Sequence, residues 1–302
     1  MAIELDLKQF IKDQARALGF CGAGFAGARL GSEYTRRLQV AIRPPYVRWE
    51  PEARTNAASL LPGARSVLAL AFPYRERMGL QLPAPGQGYF SPFAQAPDYH
   101  SLVGEKIEAL ISKISQQLPD LRSAYQVDNG PCSERVWALA AGVGWQGKNN
   151  FIIVPDAGSF VWLGLLALDI PLEPDQPLAS ACGDCTRCLE ACPTNAYPEA
   201  NRFLWPRCMA YWTTDKGELS EGQCRMLSRH QIVYGCDYCQ LACPHNLVHG
   251  EPGTVELAPL FDISAAEFRR QFGDTAFWRG RRVLRRNARI AAGQPPGTFL
   301  IG

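Results

Sequence analysis

The sequence predicts an α+β protein in which an α/β domain precedes a small cysteine-rich module and a short helical tail. Apolar strands and amphipathic helices alternate over residues 1–175, and cysteines are concentrated in residues 176–250. The remaining segment, 251–302, carries a basic helical stretch. The proline-rich connector 171–177 marks the boundary between the first two domains.

Hydrophobic spacing predicts the elements of the first domain. Residues 1–20 are expected to form an amphipathic helix, and the apolar run Ser66–Phe72 is expected to form a strand. The clearest helix runs from Asp98, its expected N-cap, to Leu118, because apolar residues recur on one face. The other expected elements are a strand at Tyr125–Val127, a helix capped by Ser133, and a hairpin of 151–154 with 159–170.

Composition indicates a globular protein without a membrane span. The chain has 302 residues, 47% of them hydrophobic, which is enough to form a buried core. Its net charge of +2 does not by itself identify a partner. No apolar run approaches the ~20 residues that a membrane span needs. The N-terminus has no signal-peptide core, and the cysteine pattern suits a reducing compartment, so the cytoplasm is the expected location.

Eight of the 11 cysteines have the spacing of iron–sulfur ligands. The first block is Cys182, Cys185, Cys188 and Cys192 before a proline; the second is Cys236, Cys239 and Cys243 before a proline, with Cys208 between the blocks. Clusters need thiolate ligands, and the first spacing is that of bacterial two-cluster ferredoxins. Zinc and a disulfide framework remain alternatives, but zinc sites usually pair two Cys-x2-Cys knuckles without that proline. The pattern predicts a ferredoxin-like domain with two 4Fe–4S clusters.

The two blocks also predict which cysteines share a cluster. In two-cluster ferredoxins the fourth cysteine of each run ligates the other cluster. Cluster one is therefore assigned to Cys182, Cys185, Cys188 and Cys243, and cluster two to Cys192, Cys208, Cys236 and Cys239. Cys21, Cys132 and Cys224 are left over and are expected to behave as small buried hydrophobic residues.

Several segments of the chain carry a resemblance that is more specific than the cysteine spacing. They are Leu60-Leu-Pro-Gly-Ala-Arg65, Asp98-Tyr-His100, Val127-Asp128-Asn-Gly-Pro131, Gly142-Val-Gly-Trp145-Gln-Gly-Lys148, Arg207-Cys-Met-Ala-Tyr211 and Tyr234-Gly-Cys236-Asp237-Tyr238. In type and order these segments resemble the epoxyqueuosine reductase family, from about residue 5 to about residue 290.

The resemblance implies a nitroreductase-like α/β domain that binds cobalamin and receives electrons from the adjacent clusters. The family removes the oxygen of an epoxide on a tRNA-borne cyclopentane and leaves an alkene, so tRNA and an external low-potential electron donor are the implied partners. By resemblance, Asp128 is the proton donor and lies at the cofactor. Ile152, Leu163, Tyr211 and Asp237 fall in segments implied to contact the cofactors.

Deoxygenation also gives a physical reason for an acid at Asp128. An expelled oxyanion must be neutralised, and burial beside an apolar corrin is expected to raise the pKa of Asp128. The alternative is a solvated turn residue, because Asp-Asn-Gly-Pro is favourable turn chemistry in itself. Asp98-Tyr-His100 nearly matches a cobalt-ligand motif, but a packed or surface histidine is the preferred interpretation.

Four departures from the family pattern bear on the substrate. Two arginines of the family pattern are missing, at Ser91-Pro92-Phe93 and at Pro97. Ala210 stands where the family often has serine, and His245 stands where it usually has tryptophan. Only about one helix of the family's C-terminal helical-repeat region is present. A related reductase that acts on a small molecule, or an electron-transfer protein that reduces corrinoids, therefore remains an alternative. Arginines from Arg279 to Arg289 form either a phosphate-binding surface or a solvated helix face.

The glycines from Gly22 to Gly27 fit the dinucleotide-binding pattern G-x-G-x-x-G, but they lack a βαβ frame. A nucleotide role is therefore not expected for this segment.

Overall fold

A computed structural model describes residues 2–41, 44–45, 47–74, 83–95, 98–246, 253–272 and 279–294. The chain divides into two compact units. The first contains residues 1–76, 99–185 and 201–203, and the second contains residues 77–98, 186–200 and 204–302. This division differs from the predicted boundaries at 175 and 250, because strand pairing places residues 87–90 in the second unit and the C-terminal helices pack there as well.

The strands are β1 (Gly22–Gly27), β2 (Ser66–Pro73), β3 (Gln87–Phe90), β4 (Ser123–Gln126), β5 (Trp145–Gln146), β6 (Ile152–Ile153), β7 (Val161–Leu168), β8 (Ile232–Tyr234) and β9 (Thr254–Glu256). The helices are α1 (Ala2–Ala17), α2 (Ser32–Val40), α3 (Pro51–Arg54), α4 (Tyr99–Ser115), α5 (Glu134–Ala140), α6 (Arg187–Glu190), α7 (Met209–Thr214), α8 (Glu221–Arg229), α9 (Tyr238–Leu241), α10 (Ala258–Phe261), α11 (Ala265–Phe272) and α12 (Arg281–Ala291).

The first unit is built on an antiparallel sheet with the order β1-β2-β7-β4. Six successive residues of β2, from Ser66 to Ala71, are buried, as expected for a strand covered on both faces. Val67, Ala69 and Ala71 pack with Trp137 of α5 in one core cluster. Leu68 and Leu70 point to the opposite face by strand alternation. Helix α1 contacts β1 and α4, and α4 contacts β7.

Several predicted elements of the first unit are confirmed, namely the N-terminal helix, the strand from Ser66, the long helix now seen as α4, and the strand β4. The glycine pattern from Gly22 to Gly27 forms β1 rather than a phosphate-binding loop. A Cβ atom at Gly24 would lie 2.0 Å from the carbonyl oxygen of Ala141, so glycine is required there for close packing.

Two local predictions in the first unit need correction. The predicted pairing of 151–154 with 159–170 is wrong apart from a single bridge between Val154 and Gly158, since β6 pairs with β5. Strand β7 has no free edge for β6, because β2 and β4 occupy its two sides. Ser133 is the N-cap residue of α5, but its side chain makes no capping hydrogen bond.

In the second unit a small sheet is surrounded by short helices. Strand β3 lies between β8, with which it pairs in parallel, and β9, with which it pairs antiparallel. Helices α6 and α9 contact each other, and each contains one cysteine of the repeated Cys-x2-Cys-x3-Cys-Pro pattern, Cys188 and Cys239. Helix α12 packs against β8, α8 and α10. Within the described residues, no helix is long and apolar enough to cross a membrane.

Candidate catalytic and cluster sites

Asp128 lies in a tight turn directly after the edge strand β4. Its φ of 60° is in the left-handed region, which aspartate tolerates better than most residues. The backbone N–H of Asn129 donates to the carbonyl of Val127 at 2.7 Å, and that of Gly130 donates to Asp128 at 3.2 Å. This turn presents the Asp128 side chain at the surface of the first unit, where 64% of it is exposed.

Two residues of α4 hold the Asp128 carboxylate. The hydroxyl of Tyr99 donates to Asp128 Oδ2 at 2.8 Å, and His100 Nε2 lies 3.6 Å from the same oxygen. The Tyr99 ring stacks on His100, with centroids 4.1 Å apart, and on Trp162, with centroids 5.3 Å apart. The Asp98-Tyr-His100 motif therefore places both partners at the start of one helix.

The protein groups around Asp128 lower the pKa of its carboxyl group. His100 and then Tyr99 favour the carboxylate and outweigh desolvation, so the pKa of Asp128 lies below its ordinary value. The rise in this pKa that is expected beside a bound corrin stays a prediction. Opposite charge and hydrogen bonds to the charged form decide the direction.

Glu134 is a second acid near Asp128, and the sequence analysis missed it. Burial raises the pKa of Glu134 to about 7, and the charge of Asp128 adds to the shift. Gln126 donates one hydrogen bond to Glu134 and another, at 2.9 Å, to the carbonyl of Cys132. Acidic residues are common in the first turn of a helix, so only tertiary burial distinguishes Glu134 from a solvated cap.

The predicted corrin-contacting residues of the first unit belong to its core. Ile152 is buried in β6, and Leu163 of β7 packs as a partly buried neighbour of the same cluster. Near them, Trp162 carries a buried indole N–H that has no hydrogen-bond partner within the described part of the chain. A buried donor without an acceptor is costly. The amide oxygens of a corrin are acceptors of the right kind, so Trp162 fits cobalamin.

The three leftover cysteines are packed in the fold, as expected. Cys132 and Cys224 are buried, and Cys21 is half-buried. Burial raises the pKa of Cys132 to about 12 and that of Cys21 to about 11. These thiols stay protonated at neutral pH, so they are poor nucleophiles and poor metal ligands.

The four thiols assigned to cluster two lie together in the second unit. Each of Cys192, Cys208, Cys236 and Cys239 interacts electrostatically with the other three. Backbone N–H groups also point at these sulfurs: Ala196 donates to Cys192 at 3.2 Å, Ala210 and Tyr211 donate to Cys208, and Tyr238 donates to Cys236. Hydrogen bonds of this kind stabilise ligand thiolates and tune cluster potentials.

The chemistry of these side chains suits an iron–sulfur cluster. Among the described residues, no three Cys, His, Asp or Glu side chains form a group compact enough to hold one metal ion. A four-iron cluster is wider, so its thiolate ligands need not approach one another so closely. The donor set, four thiols with directed N–H groups, fits a 4Fe–4S cluster.

The cysteines assigned to cluster one are divided between the units. Cys182 and Cys185 are half-buried in the first unit, whereas Cys188 and Cys243 are buried in the second. Lys148 donates a hydrogen bond to the carbonyl of Gly183 at 2.7 Å and so braces the loop beside Cys182. The assignment of this ligand set remains a prediction.

Asp237 is held by protein groups inside the second unit. Its buried carboxylate accepts hydrogen bonds from the hydroxyls of Tyr89 and Ser91 and from the side-chain amide of Gln240. Burial nevertheless raises the pKa of Asp237. The residue therefore anchors the loop that carries Cys236, and the predicted direct contact with a cofactor stays a prediction.

Tyr211, the remaining predicted cofactor contact, lies in α7 close to Cys208. Its ring meets Trp205 edge to face, with centroids 4.4 Å apart, and desolvation raises the pKa of Tyr211. The indole N–H of Trp205 is buried without a hydrogen-bond partner in the described residues. This second unsatisfied indole also suits a ligand rich in amide oxygens.

Two segments of the chain match known families. Residues 54–129 match the family described as "Epoxyqueuosine reductase QueG, DUF1730", and residues 181–246 match the "4Fe-4S double cluster binding domain". The first segment contains Asp128 with its partners Tyr99 and His100, and the second contains all eight of the predicted cluster cysteines.

Relatives of known function match almost the whole chain. An epoxyqueuosine reductase of Bacillus cereus is 33% identical over 304 residues, which cover 94% of this chain and 80% of the relative. One of Gloeobacter violaceus is 38% identical over 304 residues, which cover 94% of this chain and 95% of the relative. The latter therefore extends little beyond the matched region.

Solved structures give the same result. An epoxyqueuosine reductase with an epoxyqueuosine-modified tRNA-Tyr stem loop has a TM-score of 0.86 at 32% identity, covering 95% of this chain and 81% of that one. A Bacillus subtilis epoxyqueuosine reductase with its catalytic aspartate loop swung out of the active site has a TM-score of 0.85 at 32% identity and the same coverage.

Proposed function

Because this chain belongs to the epoxyqueuosine reductase family, we propose that Asp128, held by Tyr99 and His100, delivers the proton of the family's reaction. The protein is a cobalamin- and iron–sulfur-dependent oxidoreductase that reduces epoxyqueuosine in tRNA to queuosine. The single observation that supports this function best is the match to epoxyqueuosine reductases over 94% of the chain.

The reaction defines what the site must supply. Converting an epoxide into an alkene consumes two electrons and two protons and releases water. Bound cobalamin supplies the cobalt chemistry that opens the epoxide, and the clusters supply the electrons. Trp162, with its unsatisfied indole N–H group, would bind an amide oxygen of the corrin, and Ile152 and Leu163 would line the corrin's surroundings. In the second unit, Tyr211 stays a predicted cofactor contact, and Trp205 offers another unsatisfied indole N–H group.

The protein's own task is to bring a proton to the oxygen that leaves. A developing oxyanion beside Asp128 raises the pKa of its carboxyl group by like-charge repulsion, which reverses the direction seen without substrate. His100 Nε2, 3.6 Å from Asp128 Oδ2, is placed to replace the proton. Tyr99 orients the carboxylate through the same oxygen. These three groups form one proton-delivery unit.

The clusters are assigned to the two predicted ligand sets. Cluster two would be held by Cys192, Cys208, Cys236 and Cys239, whose mutual proximity supports the assignment. Cluster one would be held by Cys182, Cys185, Cys188 and Cys243. Asp237 would fix the loop of cluster two.

The finer description of the fold and its setting is also a proposal. A nitroreductase-like catalytic domain and a ferredoxin-like domain follow from the resemblance, and their bounds follow the two compact units rather than the predicted boundaries at 175 and 250. The antiparallel sheet covered by α1, α4 and α5 supports the first of these. A cytoplasmic location agrees with eight cysteines committed to clusters.

The function is tested by direct conversion of the modified nucleoside. The anaerobically reconstituted protein is incubated with cobalamin, dithionite and epoxyqueuosine-containing tRNA, and the digested nucleosides are analysed by mass spectrometry. We expect queuosine to form and epoxyqueuosine to disappear. If epoxyqueuosine persists while a Bacillus epoxyqueuosine reductase converts the same tRNA, the proposed function is wrong.

A further inference from the structure

A cavity of about 460 Å³ lies in the first unit beside Cys182, a proposed ligand of cluster one. Arg37 and Lys148 line it together with the apolar side chain of Leu178. Among the described residues of the lining there are two cations and no carboxylate. The cavity is therefore positively charged next to a proposed electron carrier.

The two cations are fixed in position. Arg37 Nη1 donates to Gln146 Oε1 at 3.0 Å, and Lys148 Nζ donates to the carbonyl of Gly183 at 2.7 Å. Both partners are neutral, so neither positive charge is cancelled by these hydrogen bonds. A preformed pair of charges costs less side-chain entropy when an anionic partner binds.

Helix α2 extends this charged surface. None of its nine residues is buried, and Arg36 and Arg37 are both exposed. Its last residue, Val40, is 77% exposed, and Leu178 is 38% exposed. The carboxylate of Glu33 folds back towards Gly31 at the start of the helix, where a Cβ atom on Gly31 would lie 2.3 Å from Glu33 Oε2. The C-terminal end of α2 thus combines two exposed arginines with the exposed side chain of Val40; the carboxylate of Glu52 accepts a hydrogen bond from Gln39 there, at 2.9 Å.

Exposure also distinguishes the two cluster loops. The residues on either side of Cys182 are exposed, whereas those on either side of Cys236 are buried. An electron carrier from solution can approach the first loop more closely than the second. Asp184 is the acidic residue nearest to Cys182 along the chain, and it does not line the cavity.

We propose that the surface formed by Arg36, Arg37, Val40, Lys148 and Leu178 docks a small acidic electron-transfer protein, which reduces the enzyme through the cluster at Cys182. The inference rests on the proposed function, because deoxygenation needs two electrons from outside the chain. Each docking oxidises the carrier by one electron and reduces one cluster by one electron. Two dockings and two protons from water complete one turnover.

The first test uses a purified flavodoxin, an acidic one-electron carrier, as the probe. Its affinity for the reconstituted protein is measured by calorimetry, and the rate of cluster bleaching by flavodoxin hydroquinone is measured by stopped flow at several salt concentrations. We expect a rate that falls steeply with salt, since steering between opposite charges is screened. A salt-independent rate would contradict the proposal.

The second test reverses one charge. Arg37→Glu should lower the bleaching rate and the flavodoxin affinity about tenfold or more at low salt, which is within the usual range of electrostatic steering. The matched control is Arg65→Glu, an exposed arginine of the same unit that does not line the cavity, and it should leave both unchanged. Equal rates for the two variants would overturn the proposal.

Two further measurements separate this proposal from its alternatives. Dithionite-driven conversion of epoxyqueuosine bypasses the carrier, so Arg37→Glu should match the wild type in that assay. Loss of conversion by the wild type itself would contradict the proposed function and leave flavodoxin binding as a separate result. If Arg37→Glu weakens tRNA binding and leaves flavodoxin reduction intact, the surface binds RNA and the proposal is wrong.

Discussion

At the scale of single residues, the carboxylate of Asp128 depends on donors from α4. Removing one donor in Tyr99→Phe should raise the pKa of Asp128, because the hydroxyl hydrogen bond favours the charged form. The pKa is read from a carbon-13 NMR titration of labelled aspartate in the cofactor-free protein. Tyr125→Phe is the control, since that hydroxyl donates to Glu108 at 2.7 Å and not to Asp128. An unchanged titration in Tyr99→Phe would show that the Tyr99 hydroxyl does not lower the pKa of Asp128.

Glu134 gives a second prediction, on stability. Its pKa is raised in the folded state from 4.5 to about 7, so the folded protein binds more protons than the unfolded chain between these values. The free energy of unfolding should therefore fall as pH rises from about 4.5 to about 7, by at most about 3 kcal/mol from this group.

The isosteric variant Glu134→Gln keeps an acceptor for Gln126 and removes the titration. Denaturation at several pH values should show the variant gaining stability over the wild type as pH rises through this window, with no further gain above it. Parallel stability curves for the two proteins would mean that Glu134 titrates normally.

Sequence patterns predicted which residues can do chemistry, but they did not predict the tertiary surroundings of those residues. The turn around Asp128 and the Asp98-Tyr-His100 motif were both visible, because each is a local pattern. The direction of the pKa shift at Asp128 was not, since it depends on which side chains tertiary packing brings within 4 Å. The raised pKa of Glu134 was missed for the same reason.

At the scale of secondary-structure elements, the hydrogen bonds of α12 show what three of its arginines do. Arg285 and Arg289 donate to the carbonyl of Phe261 and to Asp262, and Arg286 donates to the carbonyls of Trp212 and Gly217. Neither a solvated face nor an open phosphate-binding surface describes these residues. They fasten α12 to the rest of the second unit.

The double variant Arg285→Ala/Arg289→Ala should lower the stability of the second unit by about 2 kcal/mol, because charge-assisted hydrogen bonds to Phe261 and Asp262 are lost. Arg282→Ala, at an exposed position of the same helix, is the control and should change stability little. Thermal unfolding of the reconstituted proteins measures both. Equal melting temperatures for the double variant and the control would refute the fastening role.

Element prediction succeeded where one strand or helix is determined by its own periodicity, as in α4 and β2. It failed for the hairpin, because β7 pairs with β2 and β4, which lie far from it along the chain. Local sequence patterns do not show which distant strands pair. The contribution of β3 to the second unit was missed for the same reason, since its partners β8 and β9 lie far along the chain.

At the scale of the whole molecule, the crossed cluster wiring makes a specific prediction. Two clusters correspond to about eight irons per chain, and Cys243→Ser should lose cluster one although Cys243 belongs to the second cysteine block. Iron analysis and EPR should show about four irons and a surviving cluster-two signal. Cys224→Ser, which removes a packed thiol outside both sets, is the control and should keep eight. Loss of cluster two in Cys243→Ser would contradict the wiring.

Length alone does not separate this chain from tRNA-modifying relatives. The Gloeobacter epoxyqueuosine reductase is covered to 95% of its length, so a relative with little additional C-terminal sequence is an epoxyqueuosine reductase. The substrate assignment rests on the family.

Asp128→Asn keeps the turn and removes the acid, so it tests whether Asp128 delivers the proton. The variant and the wild type are loaded with both clusters and cobalamin, reduced with dithionite and mixed with epoxyqueuosine-containing tRNA in a single turnover. The variant should bind cofactors and tRNA normally and form queuosine roughly 10²–10⁴-fold more slowly. Turnover at the wild-type rate would show that Asp128 is a turn residue and that the proton comes from elsewhere.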